Sequence, residues 1–321
     1  MDSRKLQFTG RSTYIVSLPK RWVEEMGLRA GDRVLIERGE NGELVLKPDA
    51  RGAERQVVKK LDITGMSPRQ VERRIISAYL SGFDELRVTS RHRILPEQRA
   101  AVVDILRRIL GTEILAETSH EIVINDLLDF KEIYPRSILR RMYVITEFML
   151  KNAVESFLSG DEELARDVMA RDDEVDKFYL LATKEIVEGL RRGGRVELEM
   201  PPEKAIHHLS VAKSLERIAD HSVKIARVAA GWNGTCDEEA LRRLYERVLE
   251  NFVLAMKSFF SGDGELADRV LDSEEEVEGW FSRMLESAEE GQLALLILLD
   301  SLQRVYAYSK DIAESTLDMG A

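Results

Sequence analysis

A single cysteine, Cys236, in 321 residues leaves no internal disulfide to form, which fits a reducing compartment; the thiol reads as incidental. Long apolar runs are missing as well. The longest, Leu293 to Leu299, is closed by Asp300 and falls far short of the roughly 20 residues a spanning helix needs, so membrane insertion is not expected. No cationic and apolar leader opens the chain, so export is not expected and a cytoplasmic protein is. Also absent are a glycine-rich phosphate loop, a His/Cys cluster at metal-ligand spacing and a nucleophile beside a base. Together these absences point away from an enzyme.

What is present describes a folded protein. Hydrophobic residues at 44% and charged residues at 33% exclude a disordered chain, and the length suffices for two or three domains with their own cores. The net charge of -11 excludes a binder of nucleic acid over its whole surface. The charge is uneven, however. Up to Arg21 there are five cations, Arg4, Lys5, Arg11, Lys20 and Arg21, against Asp2 alone. A small basic head on an acidic body divides the work between two kinds of partner.

The second half of the chain is duplicated. Phe157-Leu158-Ser159-Gly160-Asp161, continuing to Asp172, Val175 and Asp176, returns as Phe259-Phe260-Ser261-Gly262-Asp263, continuing to Glu274, Val277 and Glu278. Farther on, the stretch from Ser214 through Asp220 to Ile225-Ala226 is echoed from Ser301 through Ala307 to Ile312-Ala313. Apolar residues recur at helical spacing from Tyr134 onward. Breaks at Gly160, Gly193-Gly194, Gly231 to Gly234, Gly262 and Gly291 predict six long helices, three per copy, in two antiparallel three-helix bundles.

The N-terminal stretch reads differently. Leu6 and Phe8, then Tyr14, Val16 and Leu18, alternate around the turn Gly10-Arg11-Ser12 as strands do. Pro19 opens a short helix with Trp22, Val23 and Met26, and Asn41-Gly42 marks a hairpin between Val34/Ile36 and Leu44/Leu46. So short a set of strands buries too little to stand alone, so this segment is expected to dimerise. The run Phe8 to Trp22, with Leu18-Pro19-Lys20, Gly27-Leu28 and Gly31-Asp32-Arg33-Val34, resembles the AbrB/SpoVT (MazE-like) DNA-binding domains. That resemblance implies a swapped-hairpin β-barrel built by two chains, with Arg4, Lys5, Arg11, Lys20 and Arg21 against duplex DNA. Its bland counterpart is a dimerisation module with a solvated basic rim.

Residues 55–63, 85–89, 113–115 and 122–124 read as strands, and Ser67-Pro68 and Pro96 open helices, giving an α/β middle domain. Its Arg91-His92-Arg93 cluster reads as a solvated loop. The expected organisation is therefore multidomain: residues 1–50, the α/β connector or sensor of 51–130, and the mainly α body of 131–321.

The body carries two acidic pairs one helical turn apart, Asp172 with Asp176 and Glu216 with Asp220. Like charges at that spacing repel, and a hard cation between two helices would relieve them. Glu163/Asp167 and Glu246/Glu250 share the spacing without evident purpose, so a salt-bridge network with Lys213, Arg217 and Lys224 is an equal reading. The segments Asp172 to Asp176 and Glu216 to Ile225 resemble the PhoU family of phosphate-uptake regulators. This resemblance implies a cytoplasmic homodimer that restrains phosphate import and signalling, and a metal ion (iron, manganese, magnesium or calcium) held by Asp172, Asp176, Glu216 and Asp220. The second copy departs from that pattern: Glu274 and Glu278 face Gln303 and Ala307, so no second full site is expected. The functional expectation is a DNA-binding transcriptional regulator of phosphate homeostasis. Its alternative is an adaptor that dimerises through its head and docks on a phosphate transporter ATPase or sensor kinase, and a metal-dependent hydrolase is a third class.

Overall fold

Period-two alternation at the start of the chain yields two short hairpins. Strand β1 (Gln7–Thr9) pairs antiparallel with β2 (Thr13–Ile15), and Gly10 between them takes φ +64°, a left-handed conformation that favours glycine. Helix α1 (Lys20–Glu25) follows Pro19, then β3 (Val34–Arg38) pairs antiparallel with β4 (Leu44–Pro48). Arg38 opposite Leu44 leaves five residues between these strands, a longer connection than the two-residue turn Asn41-Gly42 suggested. The computed structural model describes residues 3–10, 12–38, 42–48, 57–128, 134–192, 200–229, 232, 236–287 and 292–320. It forms two compact units, Met1–Gln56 and Val57–Ala321. Within the first, the described strands make two separate two-stranded sheets. Among the described residues no closed barrel is formed.

The second unit begins with β5 (Val58–Asp62), α2 (Pro68–Leu80), β6 (Glu85–Thr89), α3 (Pro96–Arg108), β7 (Thr112–Glu117) and β8 (Glu121–Asp126). The sheet order is β5-β6-β8-β7, with β5 and β6 parallel through the α2 crossover and the remaining pairs antiparallel. Leu86 and Val88 on β6 and Ile122 and Ile124 on β8 turn inward at alternate positions, against Val71, Ile75 and Tyr79 of α2 and Val102 and Ile105 of α3. The cluster Arg91-His92-Arg93 lies exposed at a bend, and Arg91 stands 3.7 Å from Asp62.

The duplicated body comprises α4 (Pro135–Ser159), α5 (Glu162–Arg192), α6 (Pro202–Ala229), α7 (Glu238–Ser261), α8 (Gly264–Leu271), α9 (Glu274–Ser287) and α10 (Leu293–Gly320). Gly160 and Gly262 end α4 and α7 in the same left-handed cap. The second copy differs from expectation: its middle helix is broken into α8 and α9 at Asp272-Ser273. The buried Ser273 hydroxyl donates to Val270 O at 2.7 Å and lies within 3.1 Å of Asn251 and 3.0 Å of the Tyr306 hydroxyl. Tyr306 stands where the first copy has Ala219, so a phenol reaching across from α10 engages the turn.

Helices α4 and α5 pack on α6, while α7, α8 and α9 pack on α10. Helices α6 and α10 also pack along one another, so the apolar residues of both copies form one continuous core, from Leu139 and Phe157 to Phe252 and Leu302. Among the described residues no helix is long and apolar enough to cross a membrane.

Candidate functional site

In the first unit Arg4 and Lys5 lie exposed before β1, and Lys20 and Arg21 open α1 in full solvent. Each of the helical cations meets an acid one turn on. Lys20 Nζ stands 3.6 Å from Glu24 Oε1, and Arg21 Nε donates to Glu25 Oε1 at 2.7 Å. Counting cations alone had overlooked these partners. Exposed pairs of this spacing contribute only about 0.3–0.5 kcal/mol, so a backbone phosphate can replace either acid. Arg11 lies outside the described residues.

No described residue of this unit is buried, although it carries many large apolar side chains. Leu6, Phe8, Tyr14, Ile36 and Leu44 are each more than half exposed. The Phe8 and Tyr14 rings meet edge to face at 5.1 Å across the β1–β2 hairpin. A unit with this surface lacks the apolar partner that would cover it.

In the second unit the four carboxylates named from the sequence come together on neighbouring faces of α5 and α6. Burial is the main cause that pushes Asp172 up to about 6, and the charges of Asp176, Asp220 and Asp173 add to it. Asp176 is raised by burial and then by Glu216 and Asp220. Cations compensate the cluster. Lys213 Nζ stands 2.9 Å and Arg217 Nε 3.6 Å from Glu216 Oε2, and Arg217 Nη1 donates to Asp220 Oδ2 at 3.1 Å. The expected third cation, Lys224, is replaced by Arg108 of α3, whose Nη2 lies 3.9 Å from Asp176 Oδ2. Nothing in the sequence pointed to Arg108, because only the docking of the α/β layer on α5 brings it near. Among the described residues no three His, Cys, Asp or Glu side chains converge closely enough to hold a metal ion. As placed, Asp176, Glu216 and Asp220 each stand against a guanidinium or ammonium, whereas for Asp172 only the field of Arg227 works against burial and the neighbouring carboxylates.

The second copy has no equivalent. Glu274 pairs with Lys310 of α10, which stands at the position of Val223, and Gln303 and Ala307 take the places of Glu216 and Asp220. Glu274 is half exposed in this pair.

A further polar group lies where α5 meets the α/β layer, and sequence reasoning missed it. Lys184 is buried, pairs with Asp126 at the end of β8, and lies 5.3 Å from the centre of the Tyr79 ring. Next to it Glu185 is fully buried with neither carboxylate oxygen hydrogen-bonded, its Oε1 standing 3.4 Å from Lys184 Nζ. Burial outweighs the pull of Lys184 and pushes Glu185 up to about 7. On a helix, Lys-Glu reads as two solvated charges. Only the packing shows that they are covered.

Comparison with known proteins finds two separate matches along the chain. A PhoU domain matches residues 139–229, and the family described as "Antidote-toxin recognition MazE, bacterial antitoxin" matches residues 7–54. Two sequences from Caulobacter vibrioides strains, each named "Phosphate-specific transport system accessory protein PhoU homolog", are 31% identical over 90 residues, or 28% of this chain. The match spans only 37% of the length of those relatives. The crystal structure of PhoU from Pseudomonas aeruginosa aligns with a TM-score of 0.51 at 25% identity, covering 58% of this chain and 96% of that one.

Proposed function

Since the chain carries a PhoU domain behind a MazE-type N-terminal segment, we propose that it is a dimeric, cytoplasmic, DNA-binding regulator of phosphate uptake. The observation that carries the reading is the alignment of almost the whole Pseudomonas aeruginosa PhoU with 58% of this chain, taken with a MazE-type match at residues 7–54 that lies apart from the PhoU match at 139–229. The body senses phosphate status through a partner, and the N-terminal segment delivers the output to duplex DNA.

The exposed apolar side chains of the first unit support pairing with a second copy, in which swapped hairpins would complete a small barrel. Two-fold pairing also doubles the cationic set Arg4, Lys5, Arg11, Lys20 and Arg21, and each phosphate neutralised releases counterions. An effector on the body can alter DNA affinity only by binding two arrangements of the dimer unequally.

The test is a gel-shift series across salt concentrations. For roughly 6–10 phosphate contacts, affinity should fall by about 10³-fold or more between 50 and 200 mM salt. Arg11→Ala with Lys20→Ala should weaken binding at least about tenfold, with the melting of the body unchanged. Binding indifferent to salt and to both substitutions, together with retention on a phosphate transporter ATPase, would establish the adaptor reading in its place.

The cation suggested for Asp172, Asp176, Glu216 and Asp220 is a separate proposal. It requires Arg108 and Arg217 to leave Asp176 and Asp220, the carboxylates they now stand against. Elemental analysis of the purified protein for iron, manganese, magnesium and calcium, with Asp176→Asn and Asp220→Asn beside it, checks this directly. Stoichiometric metal lost in both variants is the supporting result, and equal metal in all three samples sinks it.

A further inference from the structure

Away from the acidic cluster, a cavity of about 670 Å³ opens where the start of α4, the start of α6, the end of α7 and the end of α10 meet. Its volume lies within the usual range for small-molecule sites. Among the described residues no carboxylate lines it, whereas Arg136, Lys204 and His208 do. Phe259, Phe260 and Met319 supply an apolar wall beside these cations.

Among the described residues the lining charge is positive. His208 is 9% exposed and its pKa is lowered, first by burial and then by the nearby charges of Arg136, His207 and Lys204. The His208 ring packs edge to face on Phe259 at 4.9 Å. Its Nδ1 lies 2.9 Å from Lys204 O, and because a carbonyl only accepts, Nδ1 carries the proton. Among the described residues no hydrogen bond is made by its Nε2. Arg136 donates one nitrogen to Phe260 O, which orients the guanidinium and leaves its other donors. Lys204 makes no ion pair or side-chain hydrogen bond among the described residues. Arg140 stacks on the outer side of the same Phe260 ring at 4.9 Å.

We propose that this cavity binds a phosphate monoester of nucleotide size, with the phosphate on Arg136 and Lys204 and the organic group against Phe259, Phe260 and Met319. A fork of guanidinium donors and a flexible ammonium suit a phosphate. The volume far exceeds one inorganic anion and the wall is apolar, so the phosphate arrives attached to a larger group. This site goes beyond the regulator reading and does not depend on it.

Calorimetric titration of the full chain with AMP, inorganic phosphate and adenosine tests the proposal. AMP should saturate with a Kd below about 1 mM, and phosphate and adenosine should each bind at least about tenfold more weakly. Arg136→Gln with Lys204→Gln should weaken AMP at least about tenfold, while Lys151→Gln, on the outer face of α4, leaves it unchanged. Should the loss of the Arg136 bond to Phe260 disturb folding, Lys204→Gln alone carries the test, with the melting temperature as its control. Three results overturn the site: no AMP saturation up to about 10 mM, equal binding of AMP and adenosine, or AMP binding indifferent to Lys204→Gln. Inorganic phosphate binding as tightly as AMP removes the organic half of the proposal.

Discussion

The two copies of the duplicated body show what one ancestral unit keeps and what it is free to change. Position for position the core is retained: Phe157 and Phe259, Val168 and Val270, and Val175 and Val277 are buried alike. Ser222 and Ser309 are likewise buried, each donating to the carbonyl four residues back, Ile218 O and Val305 O. What diverges is the polar face. The first copy gathers carboxylates that raise one another's pKa, while the second has the Glu274–Lys310 pair and, beside it, the Tyr306–Ser273 contact. Packing constrains the interior, where a lost methylene leaves a void, and surface charge can drift until a function holds it. Only the first copy holds four acids at these positions, so the two polar faces differ in charge where the two cores agree.

Three substitutions probe this contrast. The largest effect belongs to the shared interior: Phe157→Ala, which removes a fully buried ring stacked on Trp232 at 5.1 Å, should cost roughly 3–5 kcal/mol. Urea denaturation should show the loss, in a transition that includes both copies.

A smaller effect of opposite sign is expected at Asp172. Its folded pKa of about 6 lies above the unfolded value, so its contribution is most favourable below the unfolded pKa and is lost as pH rises through about 6. Asp172→Asn should therefore raise the melting temperature at pH 7.5 by a few degrees and leave it nearly unchanged near pH 4. A scan of melting temperature against pH reads both limits, and a substitution that lowers stability at pH 7.5 would contradict the strain.

The smallest effect is at the equivalent position of the other copy. Glu274→Gln removes half of a partly exposed ion pair and should lower stability by no more than about 1 kcal/mol, with the loss shrinking in high salt. Opposite signs at Asp172 and Glu274 in paired melts would establish that the copies differ in electrostatic role.

Much of this was legible in the linear chain. Pro68 and Pro96 announced α2 and α3, alternation announced β6 and β8, and the repeated Ser-Gly-Asp turns fixed the ends of α4 and α7. The conjunction of Asp172 and Asp176 with Glu216 and Asp220 was legible because each pair sits on one helix turn and the helices are neighbours. Other features were not. Arg108 reaches Asp176 across 68 positions of chain, and the burial of Lys184 and Glu185 depends on the α/β layer lying over α5. Local periodicity reports which face of an element is apolar and is silent on which distant element will cover a polar one. The break at Asp272-Ser273 was hidden for the same reason, since it is pinned by Tyr306 from another helix.

The shared seam between α6 and α10 has a consequence for how the duplicated half can have arisen and how it can be divided. Cutting the chain between α6 and α7 would strip each fragment of the apolar flank it now lends the other. Two tandem copies that share one core should therefore unfold as a single thermodynamic object, with their history legible in the letters of the chain.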